Sequence, residues 1–181
     1  LDHGSAYLTF GNRILDSAEH VYEKIITGLG KRFDPAYYGV SQKSCDWLKT
    51  FGIDARGIIP NAVDAPSFRS LASGRDFRSE LGIASDWTLI SFVGRFVPEK
   101  GVLDLLELVA SGDLSKRHVA IVFAGGGPLA DDIVVHQGES CYMLGRIDKE
   151  DVSALLQQSD LFCLPSRSEC FATSLLEASA C

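Results

Sequence analysis

Two carboxylates offer the clearest chemistry in the chain. Glu169 and Glu177 stand with seven residues between them in Pro165-Ser-Arg-Ser-Glu-Cys-Phe-Ala-Thr-Ser-Leu-Leu-Glu177. Glu169 falls in a polar loop and Glu177 on the helix that follows. The loop leads into a helix amino terminus near Phe171, Ala172 and Thr173, where free N–H groups and the helix dipole favour a bound anion. A carboxylate beside that anion would repel it, so each Glu suits hydrogen bonds from hydroxyls, as on a sugar or ribose. The plain alternative makes Glu169 a partner of the helix dipole and Glu177 a surface residue. A hydrolase pair is disfavoured, because helical rise over that spacing is ~12 Å against about 5 to 9.5 Å in glycosidases.

Two cations form a second constellation. Arg95 and Lys100 share the stretch Gly94-Arg-Phe-Val-Pro-Glu-Lys-Gly101, just past an apolar strand. Together they could hold a diphosphate; alternatively they are a solvated pair, with Glu99 neutralising one of them. Gly125-Gly-Gly-Pro-Leu-Ala130 fits the dinucleotide pattern G-x-G-x-x-A, but no acidic residue closes a later strand at the usual distance. A tight strand-to-helix turn explains it equally well, with Pro128 suited to the first turn of the helix. His3, His20, His118 and His136 have neither the spacing nor the neighbouring Cys of a metal site, so no metal ligand is assigned. His118 opens a strand and His136 closes a helix, both structural roles. His3, followed by Gly4 at a strand's end, is the exception.

The elements around these residues follow a regular plan. Residues 14–33 carry apolar side chains at helical spacing. A short strand at 36–40, a helix capped by Ser41 and a second short strand at 57–60 follow. The polar stretch 65–80 is the best boundary in the sequence. Beyond it, strands at 88–93, 119–124, 141–144 and 161–164 alternate with helices and show no polar alternation. That pattern means a parallel sheet covered on both faces, with ligands at the strand carboxyl ends.

Composition excludes several classes. The 181 residues are 46% hydrophobic and 23% charged, which suits a globular protein rather than a disordered one. A formal net charge of −7 argues against nucleic-acid binding. No apolar run is long enough to span a membrane and no signal peptide opens the chain. Five scattered Cys read as reduced, mostly buried thiols of a cytoplasmic protein. The first residue is Leu1, the sole Met is Met143, and the last residues are helical with no stop signal. An internal piece of a longer protein is expected.

Taken in order, the motifs resemble glycosyltransferase family 4, the group 1 retaining nucleotide-sugar enzymes of GT-B fold. They are His3-Gly4, Gly39-Val-Ser41, Ile59-Pro-Asn-Ala-Val-Asp64, Phe92 to Gly101, Ala124-Gly-Gly-Gly-Pro128, Leu144-Gly-Arg-Ile147 and Leu164-Pro-Ser-Arg-Ser-Glu169 through Leu176-Glu-Ala178. The resemblance implies an α/β fold of two Rossmann-like domains with parallel sheets, both incomplete here. Residues 1–64 would end the acceptor domain and 65–181 would form most of the nucleotide-sugar domain.

The resemblance also implies roles. Arg95 and Lys100, with the helix terminus at Phe171, Ala172 and Thr173, would bind the donor's diphosphate. Gly126, Arg146, Ile147 and Glu177 would hold the nucleoside, Glu177 through its ribose hydroxyls. His3 and Glu169 would face the donor sugar as catalytic residues. The implied donor is a UDP- or GDP-linked sugar, and the acceptor a glycan, a lipid-linked or a small molecule, with no metal or other cofactor. The protein would be cytoplasmic, or peripheral at the inner membrane surface through the missing amino-terminal part, and this piece inactive by itself. The family often has Gly where this chain has Cys170 and Ala172, which narrows the room beside the phosphate. A GT-B epimerase or phosphorylase, and a non-catalytic binding domain, are the rival readings.

Overall fold

The computed structural model describes residues 12–33 and 35–181. They form two compact units, one running to Asn61 with Ser168–Ala172, the other comprising Ala62–Arg167 with Thr173–Cys181.

The first unit contains helix α1 (Arg13–Lys31), strand β1 (Tyr38–Gly39), helix α2 (Gln42–Thr50) and strand β2 (Gly57–Ile58). Asn12 caps α1, its side-chain oxygen accepting from the Ile14 N–H at 3.0 Å, and Ser41 caps α2 by accepting from the Ser44 N–H. β1 and β2 are parallel and shorter than their apolar stretches suggest. Close packing at the β1–α2 turn fixes the choice of Gly39, where a Cβ would lie 2.6 Å from Cys45 Sγ and 2.9 Å from its backbone nitrogen.

The second unit is the regular one. Two short helices, α3 (Ala65–Ser70) and α4 (Phe77–Leu81), precede β3 (Thr88–Arg95), a single 3-10 turn (Pro98–Lys100), α5 (Val102–Ala110) and α6 (Asp113–Lys116). Then come β4 (Val119–Gly126), α7 (Ala130–Val135), β5 (Cys141–Gly145), α8 (Lys149–Gln158), β6 (Leu161–Phe162) and α9 (Thr173–Ala180). The four strands lie in the order β5-β4-β3-β6, and every pairing is parallel. Phe92, Phe96, Leu105, Ile121, Phe123 and Ile133 fill one side of the sheet. Phe77, Leu89, Ala120, Val122, Ala154 and Leu155 fill the other. Core on both faces is why β3 and β4 read without polar alternation.

The polar stretch 65–80 is folded into this unit. Asp64 and Asp76 cap α3 and α4, accepting from the N–H groups of Ser67 at 3.2 Å and Ser79 at 3.0 Å. Phe68 and Phe77 are buried beneath them. Arg75 joins Glu80 and Asp151, and the buried Ser153 hydroxyl donates to the Phe68 carbonyl at 2.7 Å. Asp160, just before β6, accepts from the Leu89 N–H at 2.7 Å and from Arg78 at 2.6 Å, which locks the edge strand to β3.

All five Cys are free thiols; Cys45 and Cys141 are buried and the others half-buried. Burial pushes the Cys141 thiol up to about 11. His118 stacks on Trp87 at 5.4 Å with Nδ1 3.0 Å from the Asp86 carboxylate. His136 ends α7, with Nδ1 2.7 Å from the Asp132 carbonyl. Among the described residues no helix is long and apolar enough to cross a membrane.

Candidate functional site

The carboxyl ends of β3, β4 and β5 bring three candidate residues side by side. Arg95 is the last residue of β3 and the register partner of Gly126. The Arg146 side chain, just past β5, lies over that glycine: a Cβ there would be 2.9 Å from Arg146 Nε. Both arginines are exposed, and neither has an ion-pair partner among the described residues. Ile147 packs against the core cluster of Phe77, Leu89 and Leu155, which fixes the backbone next to Arg146. Two guanidinium groups flanking a side-chain-free position suit a multiply charged anion and a planar group approaching the backbone.

Lys100 ends the 3-10 turn after β3, and Gly101 follows with φ 74°. A Cβ at Gly101 would overlap the Pro165 carbonyl, so only glycine lets the loop after β6 lie on this turn. The Arg167 N–H donates to the Glu99 carbonyl at 2.9 Å, and its guanidinium reaches Asp104 at 3.1 Å. Sequence reasoning missed Arg167, because nothing local connects it to α5.

The glycines at 125–127 have a structural cause. Gly125 and Gly127 adopt φ of 145° and 158°. The Phe96 N–H donates to the Gly126 carbonyl at 3.0 Å, and the Leu129 N–H to the Phe96 carbonyl at 3.1 Å. These glycines thus let the turns after β3 and β4 stack backbone on backbone. Pro128 lies in that turn, before α7 begins at Ala130, and not in the first helical turn.

Glu177 lies half-buried on α9, whose first residue is the exposed Thr173. Burial raises its carboxyl above the ordinary range, and Lys149 opposes the rise. Glu169, Phe171 and Ala172 belong to Ser168–Ala172 in the first unit, where Lys43 of α2 donates to the Glu169 carbonyl at 3.2 Å. Lys43 also escaped sequence reasoning. His3 lies outside the described residues. Among the described residues, no group of three or more His, Cys, Asp or Glu is placed to hold a metal ion.

A parallel α/β unit of this kind belongs to the doubly wound class of folds, whose ligand sites lie at the strand carboxyl ends. Comparison with known proteins narrows the class. Residues 74–181 match the family described as glycosyl transferases group 1, and the chain belongs to that family. The GPI3 subunit of phosphatidylinositol N-acetylglucosaminyltransferase from Saccharomyces cerevisiae (strain RM11-1a) is 31% identical over 134 residues, covering 71% of this chain and 29% of the relative. The D-inositol 3-phosphate glycosyltransferase of Rhodococcus opacus (strain B4) is 29% identical over 154 residues, covering 78% of this chain and 34% of the relative. The crystal structure of Anabaena HepE in complex with UDP and glucose superposes with a TM-score of 0.61 at 21% identity, covering 81% of this chain and 42% of that one. The fold is that of the GT-B glycosyltransferases. The chain spans about a third of the length of these curated relatives, 29% and 34%.

Proposed function

We propose that this chain supplies the donor site of a glycosyltransferase that moves a sugar from a nucleoside diphosphate to a glycan, lipid-linked or small-molecule acceptor with retention of configuration. The observation that carries the reading is the juxtaposition of Arg95, Gly126 and Arg146 at adjacent strand ends, inside the segment that matches the family. The binding of UDP and glucose by HepE supports it. The donor is UDP- or GDP-linked.

The chemistry follows from charge. Departure of the nucleoside diphosphate builds negative charge, which Arg95, Lys100 and the amino-terminal backbone at Phe171, Ala172 and Thr173 stabilise without a divalent metal. Gly126 leaves room for the nucleoside beside Arg146 and Ile147, and Glu177 accepts from ribose hydroxyls. Glu169 acts on the reacting sugar, and the family resemblance assigns His3 to the sugar and the acceptor. No carboxylate stands out as a covalent nucleophile, so the acceptor attacks from the side that the leaving group vacates, and the leaving phosphate takes its proton. The protein works in the cytoplasm or at the inner membrane surface.

Calorimetric titration of the full-length protein with UDP and with GDP tests the reading. One of the two should bind, and Arg95→Ala should weaken it; equal affinity in wild type and variant would overturn the assignment.

A further inference from the structure

Ser168–Ala172, which carries Glu169, is packed in the first unit against the start of α2. Two observations define how it is held. The Lys43 ammonium donates to the Glu169 carbonyl at 3.2 Å and lies 3.5 Å from the Ser168 hydroxyl. Cys170, next in sequence, borders an apolar cleft lined by Tyr37, Gly39, Val40 and Trp47. The base of Lys43 is itself fixed. Ser41 caps the helix two residues earlier, and Cys45 is buried against Gly39, where no side chain fits.

We propose that Lys43 is a positioning residue, whose charge-assisted hydrogen bond orients the 168–169 backbone and so aims the Glu169 side chain. A single ammonium bonded to the Ser168 hydroxyl and the Glu169 carbonyl restrains the backbone on both sides of the Glu169 Cα. The consequence for turnover rests on the reading that Glu169 faces the donor sugar. Arg95 and Lys100, proposed above for the diphosphate, belong to the other unit, so loss of Lys43 leaves their share of donor binding in place, and the larger loss falls on the rate of the chemical step.

The test uses full-length protein carrying Lys43→Met, which keeps the apolar stem and helix propensity, and Lys43→Arg, which keeps the charge. Hydrogen–deuterium exchange of the backbone amides is the first readout. In Lys43→Met, peptides covering 168–172 should exchange faster while those covering α2 do not change, and Lys43→Arg should restore protection. Unchanged exchange at 168–172 would overturn the proposal. Release of UDP from UDP-glucose and of GDP from GDP-mannose is the second readout. For the donor that the wild type turns over, Lys43→Met should lower kcat roughly tenfold with a smaller change in donor KM, and Lys43→Arg should recover most of it. Faster exchange with unaltered kcat would remove any part for Lys43 in the reaction. If the wild type neither binds nor turns over either nucleotide, the functional reading fails, and the exchange result still decides whether Lys43 holds the loop.

Discussion

Gly94 and Gly125 are register partners near the ends of β3 and β4, and a Cβ on Gly125 would overlap the carbonyl oxygen of Gly94. The two strand-end turns that carry Arg95 and Gly126 therefore depend on one atom's absence. At φ 145°, Gly125 also occupies backbone space that other residues avoid.

Gly125→Ala should accordingly destabilise the second unit by about 3 kcal/mol or more, since overlap with backbone adds to conformational strain. Gly74, around which nothing lies within 4 Å, provides the contrast, and Gly74→Ala should stay within ~0.5 kcal/mol of wild type. Thermal unfolding of both variants checks the pair; similar midpoints would contradict the close approach.

Arg95 is exposed at its strand end and lacks an ion-pair partner among the described residues, so its removal breaks no structural bond found there. Arg95→Ala is expected to leave the melting temperature nearly unchanged and to weaken nucleoside diphosphate binding roughly ten- to hundred-fold. Arg95→Lys should lie between them, since Lys supplies charge without the planar fork. Calorimetry in the full-length protein gives all three values.

How much of this was readable beforehand depended on the range of the interactions. The parallel sheet was legible because the apolar runs of β3 and β4, buried on both faces, name their own environment. The two short helices within 65–80 were not legible, because Asp64 and Asp76 are helix caps, and a capping Asp looks like a loop Asp until its N–H partner is seen. The Gly125–Gly127 pattern announced a turn, but its cause, the backbone of Gly94 and Phe96, lies on another strand. Lys43 and Arg167 were invisible for the same reason. Their partners Glu169 and Asp104 are 126 and 63 residues away, and no periodicity encodes such a distance.

Metal dependence offers an independent check on the chemistry. In the proposed function Arg95 and Lys100 of the second unit, rather than a metal ion, take up the leaving diphosphate's charge. Donor binding and turnover by the full-length protein should survive excess chelator, with rates within about twofold of the untreated enzyme. A loss that magnesium or manganese restores would overturn this account of leaving-group stabilisation.

Glu177 makes a prediction with a sign that can be worked out. Burial raises its carboxyl above the ordinary value of 4.5, with Lys149 acting against the shift. The folded chain therefore holds this proton more tightly than the unfolded chain does. The resulting stabilisation is complete below 4.5 and fades as pH rises through the higher folded value. Glu177→Gln removes the group, so its stability relative to wild type should improve from about pH 4 to about pH 7. Ligand binding should run the other way. Ribose hydroxyls donating to the ionised carboxylate favour its charged form, so donor affinity should rise with pH in wild type and stay flat in the variant. If Glu177 holds only the ribose, as proposed, it acts alike in ground and transition states, and Glu177→Gln should raise donor KM more than it lowers kcat. Glu169→Gln should do the reverse, losing mainly kcat, roughly ten- to hundred-fold. Denaturation at several pH values and steady-state kinetics of both variants separate these roles. A Glu177→Gln protein with unaltered KM and an unaltered pH profile would make this carboxylate an ordinary half-buried residue of α9.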